Sequence, residues 1–278
     1  MFKRVVIKLS GEALAGMEQT MEYVKYFIED TQHLIKSGAA IDNNFIMEET
    51  KKLDKAKLRL RFDDNIISRI ICQIKEVMDK GVEVALVVGG GNFWRGRDSK
   101  EDIDKVRSDQ IGMMATVMNA VYLTDMLEKA GIDSVVLTPV IIGTVTQQFS
   151  KKAALKYMAE KNVVIFAAGT GHPFFSTDTI AAIRTAELEA DALLFAKNVD
   201  GVYDSDPKQN HRAVKLRNIT YRTVIKNNLT VIDTAASAIC EEQRILSIIF
   251  KLDEPGAIIK CVTGDDGQIY EIGTKVTL

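Results

Sequence analysis

The sequence predicts an α/β protein with a mainly parallel central sheet that is covered by helices. Five short runs are nearly continuous in Val, Ile, Leu, Phe and Ala, at residues 5–10, 82–88, 134–140, 163–168 and 192–196. Such runs are typical of strands buried on both faces. Segments with helical spacing separate them, as in strand–helix–strand units. The 278 residues are 46% hydrophobic, enough to bury a sizeable core.

The first predicted strand is followed, after a long interruption, by an amphipathic helix. Asp64 is a candidate N-cap, and Gly81 closes the segment. The apolar residues at helical spacing between them are Ile66, Ile67, Ile70, Ile71, Ile74, Val77 and Met78. We therefore expect this helix to pack on the sheet.

A second long helix is predicted from about Ser108–Asp109 to Gly131. Its expected buried face consists of Ile111, Met114, Val117, Met118, Val121 and Met126. Because methionine fills irregular gaps well, we interpret these methionines as core residues rather than as ligand contacts.

The interruption covers about residues 17–60 and departs from the strand rhythm. It offers one amphipathic helix with Tyr23, Tyr26 and Phe27, followed by a polar link and a highly charged stretch at residues 48–61. We interpret it as an atypical helical and charged insertion in one domain that spans residues 1–278.

Charge and cysteine usage exclude several classes of function. The chain has 36 basic and 38 acidic residues, a net charge of -2, so nothing predicts binding to nucleic acid or to an anionic membrane. Cys72, Cys240 and Cys261 are widely spaced and predict buried thiols in a reducing compartment. We expect no targeting leader and no membrane span, and hence a cytoplasmic protein.

Three predicted strands end in segments rich in glycine, hydroxyls or lysine, at residues 8–12, 89–92 and 168–171. The carboxyl ends of parallel strands lie along one edge of a sheet, so these segments can converge on one crevice. We expect the functional site there.

The glycine triplet at residues 89–91 suits phosphate, since main-chain N–H groups can approach an anion where no Cβ intervenes. A tight turn beside a packed helix is an equally simple interpretation. Neither the P-loop pattern nor the dinucleotide fingerprint is present. Two cations favour phosphate. Lys8 lies in a strand that is predicted to be buried, so its ammonium needs an anion nearby, and Arg95 carries a planar guanidinium that suits phosphate oxygens.

A second anion cradle is predicted where Ser176 and Thr177 lead into a helix that begins near Thr179. Asp178 is either a helix cap or a carboxylate that faces magnesium. Downstream, residues 197–207 form a strand exit and turn with an aromatic ring and carboxylates, which is ordinary turn chemistry.

Taken together, these segments resemble the bacterial uridylate (UMP) kinases of the amino acid kinase superfamily. The motifs occur in one order: KLSGEA at residues 8–13, GGGNFWRG at 89–96, GMMATVMN at 112–119, AGTGHPFFSTD at 168–178 and VDGVY at 199–203. The resemblance covers the chain except for the insertion. It implies a three-layer αβα sandwich, conversion of UMP to UDP with ATP and Mg²⁺, and a homohexamer that responds to GTP and UTP.

The resemblance also implies roles for individual residues. It assigns catalysis to Lys8, Asp178 and Arg95. It assigns ATP binding to Lys8, Ser10, Gly11, Gly91 and Arg95 at the phosphates and to Asn198, Tyr203 and Asp206 near the adenosine. It assigns UMP binding to Gly90, Asp109, Thr170, Gly171, His172, Pro173, Phe174, Phe175, Ser176 and Thr177. Mg²⁺ would be held mainly by the ATP phosphates, with Asp178 organising the metal or the catalytic lysine.

The sequence departs from the family pattern at three places. His172 stands where the family usually has Asn, the turn at residues 197–200 is often one residue longer, and the insertion falls in a connection linked to oligomer contacts and effectors. Two other functions stay open: a kinase of the same family that acts on a carboxylate or carbamate acceptor, and a non-catalytic nucleotide sensor. The segment from Gly169 to Asp178 favours the nucleotide.

Overall fold

A computed structural model describes residues 1–15, 62–94, 103–205, 210 and 212–278. Its centre is a nine-stranded sheet in the order β4-β3-β5-β2-β1-β6-β10-β11-β9. The strands are β1 (Arg4–Leu9), β2 (Glu83–Val88), β3 (Ser134–Thr138), β4 (Gln147–Gln148), β5 (Val163–Phe166), β6 (Ala192–Lys197), β7 (Val202–Tyr203), β8 (Lys215–Leu216), β9 (Asn218–Thr220), β10 (Ser247–Lys251) and β11 (Gly273–Thr277).

Neighbouring strands of this sheet are parallel except β10 and β11, which are antiparallel, and β7 and β8 pair separately. The five predicted strands are confirmed as β1, β2, β3, β5 and β6. Two boundaries were wrong. The strand β5 ends at Phe166 rather than at Ala168, whose φ of 58° does not suit a strand. The strand β3 ends at Thr138 rather than at Val140. Pro139 has no N–H to continue the ladder, and Val140 is exposed.

Helices follow most strands. They are α1 (Gly11–Leu14), α2 (Asp64–Asp79), α3 (Lys105–Lys129), α4 (Lys151–Ala159), α5 (Thr177–Glu187), α6 (Tyr221–Lys226), α7 (Thr234–Glu242), α8 (Ala257–Thr263) and α9 (Asp266–Ile272). Within the described ranges, none of them is both long and apolar enough to cross a lipid bilayer.

The helices cover both faces of the sheet. Alternate residues of β1 illustrate this, because Val5 and Ile7 join the cluster under α2, α3, α8 and α9, whereas Val6 joins the cluster under α4, α5, α6 and α7. Side chains of a strand alternate between faces, so a sheet covered on both sides is apolar at every position. The predicted three-layer αβα sandwich is confirmed.

The predicted amphipathic helix is α2, and its apolar face is buried as expected. Its cap is Asp63 rather than Asp64: the Asp63 carboxylate accepts hydrogen bonds from the main-chain N–H of Asn65 and Ile66 at 2.9 and 3.1 Å. Either aspartate suits the position, and the chain uses the first.

The predicted buried face of α3 was wrong at four positions. The helix begins at Lys105, and Val117 is buried, but the side chains that remain exposed are Ile111, Met114, Met118 and Val121. The face against the sheet carries instead Ala115, Thr116, Asn119, Ala120 and Leu123. Two of these are polar, so apolar periodicity pointed to the wrong side of the helix.

The predicted insertion at residues 17–60 lies outside the described residues, but its flanks meet. The N–H of Asp63 donates to the carbonyl of Leu14 at 2.7 Å, so the chain returns beside the point at which it left. The predicted burial of the thiols is confirmed for Cys240 and Cys261, whereas Cys72 is exposed on α2.

Candidate active site

The three glycine-rich segments converge at the carboxyl ends of neighbouring strands. They follow β1, β2 and β5, which are consecutive in the sheet order β5-β2-β1. A cavity of about 1020 Å³ opens there, and the predicted site residues in its wall are Lys8, Ser10, Gly11, Gly90, Gly91, Asp109, Ser176, Thr177 and Asp178. The first two segments therefore share one crevice as expected, whereas the third reaches the site through Gly169 and Thr170 in the wall of a smaller adjoining cavity.

Asp178 lies between two lysines at the floor of this cavity. The Nζ atom of Lys8 is 3.0 Å from Asp178 Oδ1, and the Nζ atom of Lys197 is 2.6 Å from Oδ2. Lys8 comes from β1 and Lys197 from the end of the adjacent β6, so the sheet itself sets their spacing. All three side chains are at most 16% exposed.

The electrostatics of this group favour an incoming anion. Burial alone would disfavour the Asp178 carboxylate, but Lys8 and Lys197 outweigh it and lower the pKa of Asp178. Burial lowers the pKa of Lys197, and Asp178 partly opposes that shift. With both lysines charged, the group carries two positive charges and one negative charge. The excess positive charge suits phosphate oxygens.

The glycines bring the backbones of two loops into contact. A Cβ atom on Gly11 would lie 2.6 Å from the nitrogen of Gly91 and 2.7 Å from the carbonyl oxygen of Gly89. A side chain on Gly90 would meet α3, at 2.8 Å from Ala115 Cβ. The loops after β1 and β2 can therefore approach each other and α3 only because glycine has no side chain at these positions.

The helix start at Ser176 differs from the prediction. Helix α5 begins at Thr177, and its cap is Ser176, whose hydroxyl accepts from the N–H of Asp178 at 3.0 Å and of Thr179 at 3.3 Å. Asp178 is therefore not the cap, and its carboxylate is turned to the lysines. Of the two interpretations left open for Asp178, the cap is wrong.

Asp233 is a site residue that sequence reasoning missed. It lies in the cavity wall. Its carboxylate accepts hydrogen bonds from the hydroxyls of Ser176 and Thr179, the latter at 3.1 Å. It also caps α7. In the sequence, an aspartate before a helix indicates only a cap, so no local signal separates this residue from ordinary caps. Lys197 was likewise noted only as part of a turn.

A second cavity of about 250 Å³ adjoins the first and shares Gly90, Gly91, Asp109, Ser176 and Thr177 with it. Further predicted residues in its wall are Thr170, His172 and Phe175. The connecting loop also contains Gly171, Pro173 and Phe174, and the N–H of Phe174 donates to Asp109 Oδ2 at 2.8 Å. This contact fastens the loop to the start of α3.

The predicted adenosine contacts are less well placed. Asn198 and Tyr203 follow β6, and among the described residues neither lines the two cavities. The Tyr203 hydroxyl donates to Asp200 at 3.0 Å. Arg95 and Asp206 lie outside the described residues. In the described part of the chain, no group of three or more His, Cys, Asp and Glu side chains could hold a metal ion by itself.

Comparisons with known proteins agree with this architecture. A model of the amino acid kinase family matches residues 3–251. The UMP kinase from Bacillus anthracis is 30% identical, with 99% of this chain and 96% of that chain covered and a TM-score of 0.79. The UMP kinase from Ureaplasma parvum is 32% identical over the whole of both chains, with a TM-score of 0.76. The chain therefore belongs to the amino acid kinase family.

Proposed function

We propose that this protein transfers the γ-phosphoryl group of ATP to UMP, giving ADP and UDP, within one kinase domain that spans residues 1–278. The observation that carries the proposal is the pair of adjoining cavities, which share wall residues such as Gly90, Asp109 and Thr177, with Lys8 and Asp178 in the wall of the larger one. The larger one suits a nucleoside triphosphate, and the smaller one suits an acceptor. The likeness to two solved UMP kinases supports UMP as that acceptor.

The donor and the acceptor would both contact the loop after β2 and would otherwise use different segments. We assign the ATP phosphates to Lys8, Ser10, Gly11, Gly91 and Arg95, and the adenosine to Asn198, Tyr203 and Asp206. We assign UMP to Gly90, Asp109 and residues 170–177. The main-chain N–H groups of the glycine loops and the start of α5 are the anion-binding elements in this assignment.

The reaction needs positioning and charge neutralisation more than a base. An oxygen of the UMP phosphate is already ionised when it attacks the γ-phosphorus, and the bond from that phosphorus to the β–γ bridging oxygen breaks as ADP leaves. In the transition state, negative charge is spread over the equatorial oxygens of the transferred group and builds on the leaving oxygen. Lys8 is a cation of the cavity wall that can stabilise this charge, with Asp178 holding its ammonium in place at 3.0 Å.

Mg²⁺ would arrive with ATP and be held mainly by the phosphates. Carboxylate oxygens are ligands that Mg²⁺ prefers, and two carboxylates, Asp178 and Asp233, lie in the cavity wall. Asp178 is already neutralised by two lysines, whereas Asp233 accepts only from hydroxyls and a main-chain N–H among its described contacts. Asp233 therefore fits the ion better. When bound, the ion would supply further neutralisation of the phosphate charge.

We also propose a homo-oligomer, expected from the resemblance to be a hexamer with GTP and UTP as effectors, in the cytoplasm and in pyrimidine nucleotide synthesis. The support for self-association is the exposed stripe of α3, whose members Ile111, Met114, Met118 and Val121 are 42–48% exposed. An apolar stripe on one helix is costly to leave in water.

Release of ADP, coupled to NADH oxidation, tests the proposal with UMP, CMP, aspartate and carbamate as acceptors. We expect UMP to give by far the highest kcat/KM. Preference for aspartate or carbamate would assign the chain to another branch of the family. Nucleotide binding without any turnover would support the non-catalytic sensor.

A further inference from the structure

Helix α3 contacts both substrate loops through two buried polar side chains. Thr116 and Asn119 lie on the face of α3 that packs inward, three residues apart, and are 6% and 0% exposed. A buried polar side chain inside a helix needs a partner, because an unsatisfied group loses its hydration without compensation. In both cases the partner belongs to a loop at the site.

Asn119 holds the glycine loop after β2. Its Nδ2 donates to the carbonyl of Gly89 at 2.6 Å and to Asn92 Oδ1 at 2.8 Å, and its own Oδ1 accepts from Asn92 Nδ2 at 2.9 Å. The bond to Gly89 fixes the start of the triplet, and the reciprocal amide contact fixes Asn92, which follows the triplet. Gly90, between them, lies directly on α3.

Thr116 holds the loop after β5. Its hydroxyl donates to the carbonyl of Met113 at 2.6 Å and accepts from the N–H of Ala168 at 2.7 Å. Ala168 has φ of 58°, in the left-handed region, although it is not glycine. Such a residue persists only where its surroundings hold it. Gly169 and Gly171, farther along the same loop, also have φ angles in the left-handed region, and the loop continues to the smaller cavity.

We propose that Thr116 and Asn119 are positioning residues that fix the distance between the phosphoryl donor and its acceptor. The proposal rests on the function proposed above, in which the loop after β2 serves ATP through Gly91 and Arg95 and UMP only through Gly90, and the loop after β5 serves UMP. Because both loops are anchored on one rigid helix, three residues apart, neither can shift without straining its contact to α3. In-line transfer is sensitive to such shifts, since a displacement of about 1 Å can cost about 10²-fold in rate.

The test begins with Thr116→Val, which keeps the shape of the side chain and removes the acceptor for Ala168. We expect kcat/KM for UMP to fall about 10²-fold while KM for ATP changes less than about 2-fold. Thr116→Ser, which keeps the hydroxyl, should stay within about 3-fold of the parent protein. Thr124→Val is the matched control, because Thr124 also donates to a helix carbonyl, that of Ala120, at 3.0 Å.

A double variant tests whether Thr116 acts by holding Ala168 in its left-handed conformation. Glycine adopts the left-handed conformation freely, so Ala168→Gly should be close to neutral by itself and should restore about 10-fold of the activity lost in Thr116→Val. Asn119→Leu should act on the other substrate, by raising KM for ATP more than KM for UMP. Thermal unfolding of each variant separates misfolding from misplacement.

The inference is overturned if folded Thr116→Val keeps the kinetic constants of the parent protein, if Thr124→Val loses as much, or if Ala168→Gly restores nothing. Failure of the proposed function is recognised separately, because the parent protein would then not phosphorylate UMP at all. In that case, the same variants are compared with whichever acceptor the parent protein uses.

Discussion

Asp178→Asn is the substitution with the largest expected effect, because it removes a carboxylate from between two buried ammonium groups. Lys8 and Lys197 lie 3.0 and 2.6 Å from that carboxylate. An amide cannot balance their charge, and the two cations then repel each other in a poorly hydrated site. Breaking a buried pair in this way costs about 3–5 kcal/mol. We expect about 3 kcal/mol, the lower end, because the Lys197 side chain keeps 16% of its exposure and some hydration.

Urea unfolding at pH 7 measures the loss of stability. Asp125→Asn is a matched control, because Asp125 pairs with Lys129 one helical turn away and both are more than half exposed. An exposed pair of this kind contributes about 0–1 kcal/mol. A loss of about 3 kcal/mol at Asp178 and under about 1 kcal/mol at Asp125 is expected.

The pH dependence of the same difference tests its electrostatic origin. The pKa of Asp178 is lower in the folded chain than the ordinary aspartate value of about 3.9 in the unfolded chain. The stabilisation is therefore complete above that value and is lost as the pH falls through the lower folded pKa. The difference in free energy of unfolding between the parent protein and Asp178→Asn should stay constant from about pH 6 to 8 and decrease below about pH 4.

Turnover gives the functional half of this prediction. Asp178→Asn should lower kcat about 10²-fold or more at saturating ATP, UMP and Mg²⁺, and change UMP binding much less, because Lys8 is no longer held where charge develops. Unchanged stability together with unchanged kcat would refute the role given to the Lys8–Asp178–Lys197 group.

Three further predictions concern the remaining assignments. Lys8→Ala should lower kcat about 10²-fold with KM for UMP within about 3-fold, and steady-state kinetics that show near-normal kcat would exclude its catalytic role. His172 lies in the wall of the smaller cavity, so His172→Asn should change KM for UMP more than KM for ATP; unchanged values of both constants would make His172 a spacer. Replacing residues 17–60 by a short Gly-Ser turn should leave basal transfer intact, because the flanks already meet at Asp63 and Leu14, but should change the oligomer mass by light scattering or the response to GTP and UTP. Loss of basal activity in a folded variant would instead show that the segment serves the site.

The strands could be predicted because a sheet covered on both faces makes nearly every strand position apolar. The contacts of Lys8 could be anticipated for a related reason, since a lysine in such a strand needs an anion, and Asp178 supplies one. The convergence of the three loops followed from the common direction of parallel strands.

Other features depend on contacts between distant segments and leave no local signal. The predicted inward face of α3 was wrong because the polar residues Thr116 and Asn119 are buried there. They form hydrogen bonds with Ala168 and Gly89, which lie 52 and 30 residues away along the chain. Asp233 was missed because its contacts with the start of α5 span more than 50 residues, while its local position indicates only a helix cap.

Transfer of a phosphoryl group to UMP is tested most directly by ³¹P NMR of a mixture of the protein, ATP, UMP and Mg²⁺. We expect the UMP resonance to decline as the two resonances of UDP appear, with one ADP formed for each UDP. Consumption of ATP with release of inorganic phosphate and an unchanged UMP resonance would contradict the proposed function.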